Sequence, residues 1–288
     1  MIYEINHQLQ YRYTNPVFLE TQLLHLMARS DNFQKLKTFT IEIQPKPTLI
    51  SDITDALGNP AHEIWFRGNT STLLIKTSSV VEVFRQNPFN YLLRENAMRI
   101  PFRYPELLLN SLRPYMGMEK NQEFVVELAT EACERAGRKT TDFLSELCLM
   151  IHQRIHYIRR EDGFPWPAEK TLSAGNGSCR DMAMLFIACC RSQGLAARFT
   201  SGYVEDITNF VGSDLHAWAE VYMEGAGWRG YDPAVGLVVN EHYVALASAP
   251  DPRLVTPVIG TFRSNSAISQ LQTQVTIRPE IEASSLSA

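Results

Sequence analysis

Over much of the first 94 positions the apolar residues recur with a period of two. Tyr3 and Ile5, then Leu9, Tyr11 and Tyr13, alternate with polar neighbours, and Phe39, Ile41 and Ile43 repeat the pattern ahead of Pro45 and Pro47. Ile64-Trp65-Phe66 follows a turn-rich stretch at 55–60, and 72–84 is dense in β-branched residues. A period of two sends alternate side chains to opposite faces of a strand, so this region predicts a small antiparallel β domain over 1–94. At 23–27 the pattern fits the edge of a strand or a short helix equally well. Pro88, Pro101, Pro105 and Pro114 then punctuate the chain, and 95–116 reads as a linker.

Beyond 117 the period changes. Phe124, Leu128 and Ala132 share one helical face before Gly137, and a second helix begins at a cap, Thr140 or Thr141, with Phe143, Leu144, Leu147, Cys148, Ile151, Ile155 and Ile158 inward. A third follows the turn Gly175-Asn176-Gly177: Met182, Leu185, Phe186 and Cys189 have the i, i+3, i+4, i+7 spacing of a buried face, closed by Arg191 and Gly194. Alternation returns in Leu215 to Met223, with Ala217, Ala219, Val221 and Met223 on one face and His216, Trp218, Glu220 and Tyr222 on the other. Gly225-Ala226-Gly227 and a short strand, Trp228 to Asp232, complete an antiparallel hairpin that Pro233 stops. The chain then turns irregular, broken by Pro250, Pro252 and Pro257. Leu271, Thr273, Val275 and Ile277 mark a final strand before a polar tail at 283–288. The expected fold is α+β: helices packed on an antiparallel sheet over 117–262, the β domain ahead of them and 263–288 behind.

Chemistry concentrates at the third helix. Ser178 and Asp181 have the spacing of a capping pair, which makes Cys179 the first helical residue. There the unsatisfied N–H groups and the positive end of the helix dipole favour a thiolate and offer donors to an oxyanion. Asp181, two positions on, opposes that acidification. The midpoint of His216 and Asp232 is position 224, beside the hairpin turn, so the two side chains fall close across the ladder. Cysteine, histidine and carboxylate are the parts of a nucleophile, a base and its orienter.

Three blocks carry a family resemblance: Gly-Ser-Cys-Arg-Asp-Met-Ala from Gly177, His-Ala-Trp-Ala-Glu-Val-Tyr from His216, and Gly-Trp-Arg-Gly-Tyr-Asp-Pro from Gly227. In this order they resemble the core of the transglutaminase-like superfamily of papain-like cysteine enzymes, in its bacterial branch. Residues 195–204 resemble the family's strand after the cysteine helix. The early strands, with Tyr-Arg-Tyr-Thr-Asn-Pro-Val from Tyr11, resemble the β-rich region that precedes the core in that branch. The resemblance implies Cys179 as nucleophile, His216 as general base and acid, and Asp232 as the residue that orients His216. It implies a peptide or protein substrate, cleaved through an acyl-cysteine, with no cofactor. The alternatives are transfer of the acyl group to an amine, as in a protein transglutaminase, and a non-catalytic peptide-binding module.

Composition narrows the setting. A net charge of −4 gives no footprint for nucleic acid or an anionic membrane. No apolar run approaches the roughly 20 residues that span a bilayer, and the first residues lack the basic and apolar segments of a secretory signal. Five scattered cysteines argue against a disulfide framework and point to the cytoplasm. His152 and His156 have metal-ligand spacing, but Gln153 stands where a zincin has glutamate and no third ligand is evident, so no metal is expected. Cys189-Cys190 reads as core. Trp166 and Trp218 are the candidate substrate-binding side chains, Trp166 because Phe164-Pro165-Trp166-Pro167 lies just ahead of the Gly-rich turn.

Overall fold

The computed structural model describes residues 1–160, 163–205 and 215–280. The elements follow one another as β1 (Ile2–Leu24), β2 (Gln34–Gln44), β3 (Leu49–Thr54), β4 (Pro60–Trp65) and β5 (Asn69–Val83), then α1 (Glu106–Leu112), α2 (Glu123–Arg135) and α3 (Thr140–Arg154). Next come β6 (His156–Tyr157), α4 (Ala168–Ala174), β7 (Asn176–Gly177), α5 (Cys179–Ser192), β8 (Ala197–Val204), β9 (His216–Met223) and β10 (Gly227–Asp232). β11 (Leu237–Val238), β12 (Tyr243–Ala249), β13 (Val258–Arg263) and β14 (Ser269–Pro279) close the described chain.

The first five strands form a sheet in the order β2-β5-β1-β4-β3. β1 is its spine, and its alternating pattern buries Tyr3, Ile5, Leu9 and Tyr13 on one face. β13 and β14 return from the far end of the chain to pair with β1, so 263–279 completes the first sheet. The polar tail at 283–288 lies outside the described residues. The segment read as a linker is structured: α1 lies within it, and the buried Tyr104 hydroxyl donates to the Tyr222 carbonyl (2.7 Å) and accepts from the Ala196 N–H (3.1 Å).

The second layer is an antiparallel sheet, β11-β10-β9-β8-β12, with α3 and α5 packed on it and α2 and α4 packed against α5. α5 is the centre of this core. Met182, Leu185, Phe186 and Cys189 are buried as their spacing predicts, yet Ala183, Ile187 and Cys190 are buried too. The helix is covered on both sides, by the other helices and by β8 and β9. Each fully buried Leu, Ile or Phe here contributes roughly 1.5–3 kcal/mol.

Three details depart from the expected pattern. In α2 the buried face is Val125, Leu128, Ala129 and Ala132, while Phe124 stands in solvent. Leu128 and Ala132 continue a stripe from Val125, three and seven residues away, which a four-residue count from Phe124 misplaces. α3 ends at Arg154, because His156 and Tyr157 leave to pair in parallel with Asn176 and Gly177. The stretch after Pro233 carries a fully buried strand, β12, on the edge of the core sheet.

The two layers meet at β8 and β12. Tyr3, Ile5, Val81, Val83 and Val275 of the first sheet pack on Tyr203, Val244 and Leu246 of the second. Glu220 lies buried near the seam between Arg29 Nη2 (2.6 Å to Oε1), from the segment after β1, and Arg198 Nη2 (2.7 Å to Oε2).

Candidate active site

Cys179 opens α5, and the turn before it is built from glycine. Gly175 ends α4 in the left-handed region (φ 62°). Gly177 has no room for a side chain, since a Cβ there would lie 2.9 Å from Asp181 Cβ and 3.1 Å from Thr171 Cγ2. Asp181 ties the start of the helix down. Its Oδ2 accepts from the Ser178 N–H (2.8 Å) and hydroxyl (2.7 Å), and its Oδ1 accepts from the Trp166 N–H (2.7 Å). Arg160 grips both oxygens, Nε to Oδ2 and Nη2 to Oδ1, each at 3.0 Å. This guanidinium sets a positive charge against the carboxylate beside Cys179, offsetting the opposition to a thiolate that Asp181 alone presents.

His216 opens β9 and Asp232 closes β10. The hairpin pairs Trp228 with Tyr222 and Tyr231 with Ala219, so the next position of β10, Asp232, stands opposite Trp218. His216 is therefore the diagonal neighbour of Asp232, one pair further along the same face. The side chains close that gap: His216 Nε2 lies 2.6 Å from Asp232 Oδ2. Asp232 is fully buried and also accepts from the Tyr243 hydroxyl at Oδ2 (2.9 Å) and the Ala234 N–H at Oδ1 (3.0 Å). Three donors around one buried carboxylate fix its orientation. The Cys179 thiol approaches the imidazole within hydrogen-bonding reach. With Nε2 given to Asp232, Nδ1 is the nitrogen left for the thiol. Burial disfavours charge on His216, but Asp232 and Cys179 outweigh it and raise its pKa to about 10.

Cys179 and His216 line a cleft of about 780 Å³. The first sheet lines it too, through Leu9, Tyr11 and residues 271–274, as do Phe164 and Pro257.

The structure brings Cys179, His216 and Asp232 together and places the two tryptophans elsewhere. Trp166 lines a neighbouring groove of about 520 Å³, its ring flanked by Lys170 Nζ (4.1 Å from the centroid) and the Arg160 guanidinium (4.5 Å). Trp218 is buried behind His216, with its ring edge-on to Tyr243. With 1% of its surface exposed it is a support for the site and cannot meet a substrate. Gly202 makes room for it: a Cβ there would lie 2.5 Å from Trp218 Cη2. His152 Nδ1 binds the Ala234 carbonyl (3.1 Å), and His156 lies past the end of α3, so these two do not share a helix face. Among the described residues no group of three or more His, Cys, Asp or Glu side chains is placed to hold a metal.

Two residues of the site escape a reading by motif. Tyr243 sits in the apolar run Tyr243 to Ala249, bounded by Asn240 and Pro250, which is the signal of a fully buried strand. Arg160 had no signal, because nothing in its neighbourhood shows that Asp181 folds against it.

A helix layer on an antiparallel sheet, with cysteine at the start of the central helix facing histidine and aspartate on the sheet, defines the papain-like, transglutaminase-like class of folds. The comparisons agree. Residues 127–233 match the model described as transglutaminase-like superfamily, and residues 3–82 match the bacterial transglutaminase-like N-terminal region. An uncharacterized protein of Mycobacterium tuberculosis is 26% identical over 290 residues, spanning 96% of this chain and 92% of its own. An uncharacterized protein of Mycobacterium leprae is 27% identical over 119 residues, 40% of this chain and 42% of its own. The crystal structure of a "Putative Cysteine Protease" from Cytophaga hutchinsonii superposes with a TM-score of 0.72 at 19% identity, covering 98% of this chain and 92% of the other. The chain belongs to the transglutaminase-like superfamily, with the N-terminal region of its bacterial members. No helix among the described residues is long and apolar enough to cross a membrane.

Proposed function

We propose that this protein is a cysteine-dependent acyl-transfer enzyme that cleaves peptide or amide bonds, mainly by hydrolysis. The observation that carries the reading is the single line of side chains Cys179–His216–Asp232, set at the N-terminus of α5 in an open cleft. His216, its pKa raised to about 10, already holds on Nδ1 the proton that Cys179 gives up, and Sγ attacks the substrate carbonyl carbon from this pair. The oxyanion meets N–H groups of the first turn of α5, which have no partner within the helix. As the C–N bond breaks, His216 returns that proton to the leaving nitrogen, and the acyl group remains as a thioester on Cys179. Water then attacks the thioester carbon, giving its proton to His216, and the acid leaves as the C–S bond breaks, which restores the starting pair of Sγ and protonated imidazole. Asp232, held by Tyr243 and Ala234, keeps the ring oriented throughout, a positioning role. All five cysteines are free, in keeping with a reducing compartment such as the cytoplasm.

Limiting iodoacetamide at pH 5–9, read by mass spectrometry, tests this. Cys179 is expected to label ahead of the other four thiols, and a His216→Ala variant to lose that preference; Asp232→Ala should lose less. Equal labelling of all five cysteines would leave the peptide-binding reading in its place.

A further inference from the structure

We infer that the free edge of β14 is a docking rail for substrate: an extended polypeptide pairs with it as an added strand and so presents its backbone to Cys179. The inference rests on the cysteine-enzyme reading and names its substrate as unfolded or extended chain.

The direction of the β14 backbone is settled by its ladder. β14 pairs with β1 in one continuous register from Tyr3↔Pro279 to Tyr13↔Ser269. Just past its two ends, the Glu280 N–H donates to the Ile2 carbonyl (2.7 Å) and the Thr14 N–H to the Ile268 carbonyl (3.1 Å). Directly bonded pairs alternate along an antiparallel ladder, so the even residues 268 to 280 spend their backbone groups on β1. The odd residues, Leu271 and Thr273 among them, point N–H and C=O away from β1. The other edge of β1 agrees, since odd Met1 exchanges both bonds with Val83, the last residue of β5. Among the described residues no strand other than β1 pairs with β14. Leu271 and Thr273 line the same cleft as Cys179 and His216, and Leu271 is 41% exposed.

The composition of this edge is unusual for an exposed strand. Edges are ordinarily guarded against pairing by charge or proline. β2 and β3, at the two ends of the sheet's main strand order, follow that rule, β2 with Lys35, Lys37 and Glu42, and β3 with Asp52. β14 carries no charged residue and no proline from Ser269 to Ile277. An unguarded edge beside a nucleophile fits strand addition, in which main-chain hydrogen bonds hold the ligand and its sequence matters little.

The test uses the full chain and a pool of random-sequence 14-residue synthetic peptides, with products read by mass spectrometry. Leu271→Pro removes an outward N–H and spares the β1 ladder, a position where an edge strand tolerates proline. Gln272→Lys adds a guarding charge without touching the backbone and decides the matter should Leu271→Pro not fold. The expected result is at least a tenfold loss of pool turnover in both, with Cys179 labelling by iodoacetamide within twofold of wild type. Wild-type turnover in the folded variants overturns the inference. So does a wild type that labels Cys179 selectively and leaves the pool uncut, an outcome that spares the cysteine-enzyme reading. Absence of selective labelling removes both. Light scattering showing a dimer that Leu271→Pro dissociates would assign the edge to a second copy of the chain, which also overturns the inference.

Discussion

Replacing Glu220 by Gln isolates the buried charges between the two layers. Glu220 is 1% exposed, and both of its oxygens are taken: Arg29 Nη2 at 2.6 Å on Oε1, Arg198 Nε and Nη2 at 2.8 and 2.7 Å on Oε2. Glutamine keeps one acceptor but turns an NH₂ group toward the other guanidinium, donor against donor. Breaking a buried pair from one side costs about 3–5 kcal/mol. The lower figure applies, because Arg29 keeps Asp31 (2.8 Å) and Ser248 Oγ (2.7 Å) and both arginines reach solvent at their margins. About 3 kcal/mol is roughly a 150-fold change in the folding equilibrium. The pH dependence gives the reasoning a second edge. Burial raises the Glu220 pKa, but the arginines overcome it and hold the group well below the usual carboxylate range. A depressed pKa contributes stability that is whole above the unfolded value of about 4.3 and is lost as pH falls below it. Urea midpoints of wild type and Glu220→Gln should therefore differ fully at pH 7, and the gap should narrow by about 1.4 kcal/mol per pH unit below about 4.3. A gap under 1 kcal/mol at pH 7, or one that stays constant from pH 5 to pH 3, would refute the account.

The triad's supports give further expectations. Tyr243→Phe removes a donor from the buried Asp232 carboxylate and should cost about 1.5–3 kcal/mol in a denaturant melt, with slower Cys179 labelling. Gly202→Ala puts a Cβ 2.2 Å from the Val244 carbonyl oxygen as well as against Trp218; a loss of about 1–3 kcal/mol is expected, and an unchanged melt would mean that β8 and β12 are not so closely packed. His216 titrates in the opposite sense to Glu220. Its folded pKa of about 10 lies above the unfolded value of about 6.5, so its contribution is whole below pH 6.5 and lost by pH 10. Guanidinium midpoints should fall across that window more steeply in wild type than in Asp232→Asn, and parallel curves would show that Asp232 does not hold the proton on His216.

What the sequence disclosed was what local pattern controls. Ser178, Cys179 and Asp181 sit on one helical turn, and His216 and Asp232 flank one hairpin, so short-range spacing reaches the whole triad. The hairpin register shifts the pairing centre from 224 to 225, and the Asp232 and His216 side chains span the resulting diagonal. What stayed hidden depends on contacts between distant segments. The face bearing His216, Trp218 and Glu220 alternates like the wet side of a sheet, yet the first sheet covers it, and its polar groups become a buried network. Trp218 looked like a substrate contact for the same reason. The four-residue count from Phe124 chose the wrong stripe of α2 because two adjacent apolar residues, Phe124 and Val125, compete there for one inward position.

The pairing of β14 with β1 has a consequence for synthesis. Tyr3 and Pro279, neighbours across the ladder, lie 276 positions apart, so the part of the cleft wall that the first sheet supplies is assembled from the first and the last described strands together. A contact of that span is among the slowest a chain can make. Cys179, His216 and Asp232 emerge from the ribosome some tens of residues earlier, with α5 able to pack on its own sheet. On the proposed reading, a growing chain carries Cys179 before it carries β14, so extended polypeptide, its own included, would find no rail beside that thiol until β14 has been laid down.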